Sequence, residues 1–176
     1  NMVTIATDAA CRWIMEQCGS RKPLRYLLES NFSGDKNPTQ RTMTEGRGHH
    51  VICSFSVPDR LLRKLLRVSV DDIMCRITDK QLGSQMAGVF GLNLHVSNAL
   101  AASYLALGQD VACVAENCVG TTTYEKQGDN LYATLSMPSI TVGTVGGATR
   151  LKQQRRNLEL LECTGEKSSR KLAEII

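Results

Sequence analysis

The sequence predicts an α+β fold, mainly helical, with one long buried helix near its centre and a small sheet beside it. Three observations point there. Residues 84–107 form the most apolar segment, and small residues (Ala87, Gly88, Gly91, Ala101, Ala102) recur through it, which lets a helix pack closely on several sides, with its glycines as points where it can kink. Residues 50–57 alternate in polarity, with Val51, Cys53, Phe55 and Val57 on one side, as a strand with one buried face does. Residues 119–126 and 130–137 are β-rich and flank Gln127-Gly128-Asp129-Asn130, a hairpin signal.

The other elements follow in order. Ile5, Ala9, Trp13 and Met15 to Cys18 give a helical stripe over 3–18, closed by Gly19-Ser20. Leu24 to Leu28 has β character, and a polar loop punctuated by Gly34 and Pro38 follows it. Pro58 opens a helix over 58–67. Ser69 is placed to cap a second helix over 69–77, with Asp71 and Asp72 in its first turn. Within 84–107, Asn93, His95 and Asn98 are costly unless hydrogen-bonded, so His95 and Asn98 are expected to be buried and paired. A glycine-rich loop spans 143–149, and two helices cover about 150–162 and 168–176.

Composition narrows the function. The chain has 176 residues, 21 Lys+Arg against 17 Asp+Glu and a formal charge of +4, a mild excess that suits an anionic ligand. The basic clusters Arg60-Arg63-Lys64-Arg67 and Lys152-Arg155-Arg156 lie on amphipathic helices and read as solvated faces. With only four Tyr, three Phe and one Trp, no stacking platform accompanies them, and nucleic-acid binding is not expected. Seven cysteines without a close C-x-x-C pair argue against a metal site and for reduced, buried thiols in a cytoplasmic portion. No run of 18 apolar residues is present to span a membrane. The first residues carry no basic leader, and the chain reads as entered partway along.

Four features can carry chemistry. Lys36, in a loop bounded by Gly34 and Pro38, can hold a fixed positive charge where an oxyanion develops, or can be a solvated loop lysine. Asp110 can pair with a lysine, or can cap the next helix from 111 to 117. His95 and Asn98 share a helical face, and His95 can act as an acid or base or as a structural histidine. The 143–149 loop fits neither GxGxxG nor a Walker motif, and a ligand loop and a tight turn both remain open.

The motif series is more specific. Asp35-Lys36-Asn37-Pro38 with Glu45-Gly46-Arg47-Gly48 resembles the DKKP…EGRG stretch of class I HMG-CoA (3-hydroxy-3-methylglutaryl-coenzyme A) reductases. Gly83 to Gly88 with Asn93-Leu94-His95-Val96-Ser97-Asn98 resembles their GSAMAG…NAHAAN segment, and Gly108-Gln109-Asp110 their GQD. Met137-Pro138-Ser139-Ile140 and Gly143 to Thr149 resemble MPSIEVGTVGGGT.

The resemblance implies reduction of HMG-CoA to mevalonate with two NADPH, in a homodimer or higher homo-oligomer whose site lies between subunits. It implies catalytic roles for Lys36 and Asp110 and substrate contacts at Asp35, Asn37, Lys80, His95 and Asn98. Cofactor contacts fall on Asn1, Met2, Val145, Gly146 and Gly147. Residues 1–28 would be the C-terminal part of a small α/β NADP-binding domain inserted in a large helical one, and 29–176 part of that large domain. The family's catalytic glutamate would lie upstream and its catalytic histidine beyond Ile176, so the expectation is a portion inactive by itself, with any membrane anchor outside it. Departures also stand out. Asn37 replaces a family lysine, Glu29 a serine and Ala148 a glycine, and one residue is missing between Leu82 and Gly83. These changes leave a diverged, non-catalytic acyl-CoA-binding or interaction protein as the alternative.

Overall fold

The computed structural model describes residues 2–21, 25–28, 34–93 and 95–176. They combine helix with sheet, as expected of an α+β chain, and divide into two compact units, Asn1–Asp35 and Lys36–Ile176.

In the first unit, helix α1 (Met2–Gln17) is held locally. Asp8 pairs with Arg12 one turn on (2.9 Å) and accepts a hydrogen bond from the Tyr26 hydroxyl (2.7 Å). Ile5 and Trp13 of its apolar stripe are exposed. Residues 25–28 form no strand, contrary to the β character expected there, and Leu24 and Glu29 lie outside the described residues.

The second unit is built on a three-stranded antiparallel sheet in the order β1-β3-β2, where β1 is His49–Pro58, β2 Thr121–Gln127 and β3 Asn130–Ile140. The hairpin is as expected: Gln127 pairs with Asn130 across Gly128-Asp129, and Gly128 takes φ +60°, the left-handed conformation that two-residue hairpins favour. Helix α2 (Gln40–Thr44) precedes β1, and α3 (Asp59–Leu66) leaves it at Pro58. Helix α4 (Val70–Met86) starts at Ser69 in a full capping box with Asp72 and runs well past the predicted end at 77. Later come α5 (Val96–Leu107), the short α6 (Val114–Asn117), α7 (Lys152–Leu160) and α8 (Ser169–Ile175). Leu100 and Tyr104 of α5 pack with Cys113, Met137, Ile140 and Ala173 in the main core. A second cluster joins Leu107 to Leu158, Cys163 and Leu172, and a third, smaller one joins Leu62, Val70 and Leu131.

Three expectations need correcting. The segment 84–107 is not one helix: it breaks between Met86 and Val96. Gly88 and Gly91 adopt φ +70° and +78°, and Gly91 lies so close to Gly120 that a Cβ would sit 2.3 Å from the Gly120 carbonyl oxygen. The alternating side of β1 is only partly covered: Val51 and Val57 reach separate core clusters near its two ends, while Cys53 and Phe55 between them are exposed. Nor are the cysteines uniformly buried. All seven are free thiols, but Cys53 and Cys75 are exposed.

Candidate functional site

Lys36 and residues 45–48, 108–110 and 139–141, scattered in sequence, meet beside α6. Glycines allow the approach. A Cβ on Gly46 would lie 2.4 Å from the Pro138 carbonyl oxygen, and one on Gly48 2.4 Å from that of Ile140, so residues 45–48 lie flush on the end of β3. The Arg47 amide donates to the Ser139 hydroxyl (2.6 Å), which donates to the Thr42 carbonyl (3.2 Å).

Gly108-Gln109-Asp110 has a distinct task at each residue. Gly108 ends α5 with φ +68°, against the backbone of Ala148. Buried Gln109 clamps Gly143, accepting from its amide (2.8 Å) and donating to its carbonyl (2.9 Å). Asp110 faces two ways. One oxygen accepts from the Ala112 amide (3.0 Å), capping the 3₁₀ turn Val111–Cys113 that leads into α6. The other lies 3.2 Å from the Lys36 ammonium. Both sequence alternatives for Asp110, cap and lysine partner, are therefore realised.

Lys36 itself has φ +62°, a left-handed conformation uncommon for a residue with a side chain. Its amide donates to Glu116 (3.3 Å), which is buried in α6 and also takes the Arg47 guanidinium (2.5 Å) and the Thr141 hydroxyl (3.4 Å). The next residue, Asn117, is fully buried. It accepts from the Tyr104 hydroxyl (2.6 Å), the Thr141 amide (3.1 Å) and the Thr141 hydroxyl (2.7 Å), and donates to the Ser139 carbonyl. Burial pushes the Tyr104 phenol well above its ordinary pKa, so it stays a neutral donor.

Sequence reasoning missed Glu116 and Asn117. The signal was present: a carboxylate and an amide interrupt the otherwise apolar run Val111 to Val119, where an unpaired polar group is costly.

The remaining candidates are dispersed. His95 and Asn98, expected to be buried and hydrogen-bonded, are both exposed and make no side-chain hydrogen bond among the described residues. For His95 the cause is the helix break, which leaves it at φ +57° immediately before α5, off any packed helical face, while Asn98 falls on an exposed side of α5. Asn93 does meet the expectation of a paired polar group, donating to the Cys118 (2.9 Å) and Gly120 (3.3 Å) carbonyls and accepting from the Val96 amide (3.3 Å). Lys80, exposed on α4, lines an apolar cleft of about 600 Å³ between α3, α4 and the sheet. Asn37 is exposed, and Asp35 is half-buried at the end of the first unit. In the 143–149 loop, Val145 is exposed, Gly146 and Gly147 take φ +84° and +55°, and the loop lines a cleft of about 400 Å³ with Arg150 and Arg155. Asn1 and the Met2 side chain lie outside the described residues.

A profile of the family described as hydroxymethylglutaryl-coenzyme A reductase matches residues 1–176. The chain belongs to the hydroxymethylglutaryl-coenzyme A reductase family. The 3-hydroxy-3-methylglutaryl-coenzyme A reductase of Aeropyrum pernix is 38% identical over 183 aligned positions, covering 100% of this chain and 43% of the relative. That of Pyrococcus horikoshii is 38% identical, with 100% and 44% covered. Reductase 1 of Candida albicans is 35% identical, with 94% and 16% covered. This family member therefore spans under half the length of the curated relatives it matches. No helix among its described residues is long and apolar enough to cross a membrane.

Proposed function

We propose that this chain carries the lysine–aspartate part of the site of an NADPH-dependent reductase that converts HMG-CoA to mevalonate. The observation that carries the reading is the Lys36–Asp110 pair, 3.2 Å apart with the two side chains 46% and 55% exposed. An ion pair that open to water contributes little stability, roughly 0–1 kcal/mol. Its value is chemical: a preorganised ammonium where a thioester carbonyl can reach it. Lys36 polarises that carbonyl and stabilises the oxyanion formed when hydride adds, while Asp110 keeps the lysine aimed. NADPH, when bound, supplies the hydride.

The 143–149 loop fits an anionic dinucleotide. Its glycines leave the backbone open, and Arg150 and Arg155 line the same cleft. We assign cofactor contacts to Val145, Gly146 and Gly147 there, with Asn1 and Met2, and substrate contacts to Asp35, Asn37, Lys80, His95 and Asn98. Residues 1–28 belong in this reading to a small NADP-binding domain and 29–176 to a large substrate-binding domain. The openness of the ion pair suits closure by a second subunit in a homodimer or higher oligomer, in a cytoplasmic portion of the protein.

The test is to express the protein from its complete reading frame and follow NADPH absorbance with HMG-CoA. Lys36→Ala is expected to lower kcat by about 10² or more. Absence of HMG-CoA-dependent oxidation, or oxidation that Lys36→Ala leaves intact, would overturn the reading. Asn37, exposed where the family carries a lysine, favours a second one, HMG-CoA binding without turnover. Calorimetric binding of HMG-CoA with no NADPH oxidation is its signature.

A further inference from the structure

We infer that Glu116 is a positioning residue for Lys36 and that Arg47 is the counter-ion that keeps Glu116 in place. The inference rests on the proposed role of Lys36, and it concerns how that lysine is held.

Lys36 is gripped at both ends by one short stretch of chain, residues 110–116. Asp110, at the start of the 3₁₀ turn, takes the ammonium at 3.2 Å. Glu116, in the helix that follows, takes the backbone amide at 3.3 Å. Lys36 needs such a grip, because a φ of +62° is unfavourable for a residue with a Cβ. Released, the backbone can relax to the ordinary right-handed or extended regions, and the side chain would leave Asp110.

Glu116 divides its two oxygens. Oε2 accepts from the Lys36 amide, while Oε1 takes the Arg47 guanidinium at 2.5 Å and the Thr141 hydroxyl at 3.4 Å. Its side chain is only 2% exposed against 42% for Arg47. A carboxylate so far out of water is costly to bury unless it is paired and hydrogen-bonded. Arg47 supplies the charge, and its own backbone is fixed on Ser139. The chain of restraint therefore runs from β3 through Arg47 and Glu116 to the Lys36 backbone. A neutral glutamine at 116 keeps the shape and one acceptor oxygen, which cannot serve Arg47 and Lys36 as two carboxylate oxygens do.

The experiment uses the protein from its complete reading frame, with Glu116→Gln, Arg47→Lys and Lys36→Ala measured in parallel. Two readouts are taken: steady-state kinetics, and hydrogen exchange at the Lys36 amide by NMR or peptide mass spectrometry. Glu116→Gln is expected to lower kcat by about 10- to 100-fold, the size of a catalytic group displaced by about 1 Å. KM for HMG-CoA should stay within about threefold, since ground-state binding is not what is lost. Exchange at the Lys36 amide should rise in the same variant. A buried ion pair with a structural role alone would not move that amide while leaving KM in place.

If Glu116→Gln does not fold, Arg47→Lys decides. It keeps the cation but loses the planar reach, and it should raise Lys36 exchange and lower kcat by about 3- to 10-fold. Lys36 exchange and kcat that match wild type in a folded Glu116→Gln, or in Arg47→Lys where that is the variant available, would overturn the inference. Lys36→Ala separates the two ideas. Turnover that survives it removes the proposed role of Lys36, and exchange at the Lys36 amide in the Glu116 and Arg47 variants still decides whether Glu116 positions that residue.

Discussion

Around α6 every buried polar side chain has a partner, and Glu116 and Asn117 between them tie together strand β3, Tyr104, Arg47 and Lys36. Along α3 the arrangement is the reverse. Leu62 alone is buried, Leu65 and Leu66 are 72% and 63% exposed, and they border an open cleft of about 600 Å³. The two regions sit on the same sheet and are stabilised by different physics. One is a hydrogen-bonded corner in which each group is held by direction as well as by burial. The other is a partly covered apolar surface whose contribution scales with area removed from water. The corner fixes its groups by direction, as holding Lys36 at φ +62° requires, and the cleft has no comparable set of bonds among the described residues that line it.

The contrast is broken most directly at Asn117. Asn117→Ala leaves the Thr141 amide and the Ser139 carbonyl without their buried partner, while the Tyr104 hydroxyl keeps only the Thr141 carbonyl (3.0 Å). Each stranded group costs roughly 1–3 kcal/mol, and the network makes the losses cooperative. The expected loss is about 3 kcal/mol, read as a lower urea midpoint with an unchanged slope. A loss below about 1 kcal/mol would show that water replaces Asn117 and that the corner is looser than its contacts imply.

Much of this was legible in the sequence, for identifiable reasons. The β2–β3 hairpin was readable because Gly128-Asp129 is a strong local signal between two β-rich runs. Ser69 was readable as a cap because capping is a local reciprocal bond with Asp72. The break before α5 was legible only as a kink at the glycines, because small residues suit a closely packed helix and a close backbone crossing alike. Only the long-range approach of Gly91 to Gly120 decides between them. Asp110 was legible as one of two alternatives, and tertiary structure realises both. Arg47 and Glu116, 69 residues apart, are joined by a contact that no local pattern announces.

A milder effect is expected at Ser69, which starts α4 beside the apolar cleft. Its hydroxyl caps the Asp72 amide (3.0 Å), and Asp72 takes back the Ser69 hydroxyl (2.6 Å) and amide (2.9 Å). Those bonds, the hydroxyl's first and the amide's second, hold the Asp72 carboxyl below the usual carboxylate range. Asp59 is likewise lowered, by the Val70 amide first and then by Arg63. Both folded-state pKa values are depressed. Their stabilisation is therefore complete above the unfolded carboxylate pKa of about 3.9 and is lost as pH falls through the lower folded values. Ser69→Ala should cost about 1 kcal/mol at neutral pH and should flatten the acid limb of the stability curve. An acid limb identical to wild type would show that Asp72 owes nothing to Ser69.

The smallest effect is expected at Leu65, and it tests the open side of the comparison. At 72% exposure its side chain has left little water behind, so replacing it with glutamine removes little buried area. Glutamine is about as good a helix former as leucine, so α3 should lose nothing locally. Leu65→Gln in residues 1–176 is therefore expected to change stability by no more than about 0.5 kcal/mol. Leu62→Ala, one turn earlier and 5% exposed, serves as the contrast: it leaves a hole against Val70 and Leu131, at an expected cost of about 2–4 kcal/mol. Urea unfolding of the two variants side by side measures the difference. If Leu65→Gln costs as much as Leu62→Ala, the cleft closes over Leu65 in solution. The α3 face would then be a second core of the same kind as the first, and the contrast with the hydrogen-bonded corner would rest on polarity alone.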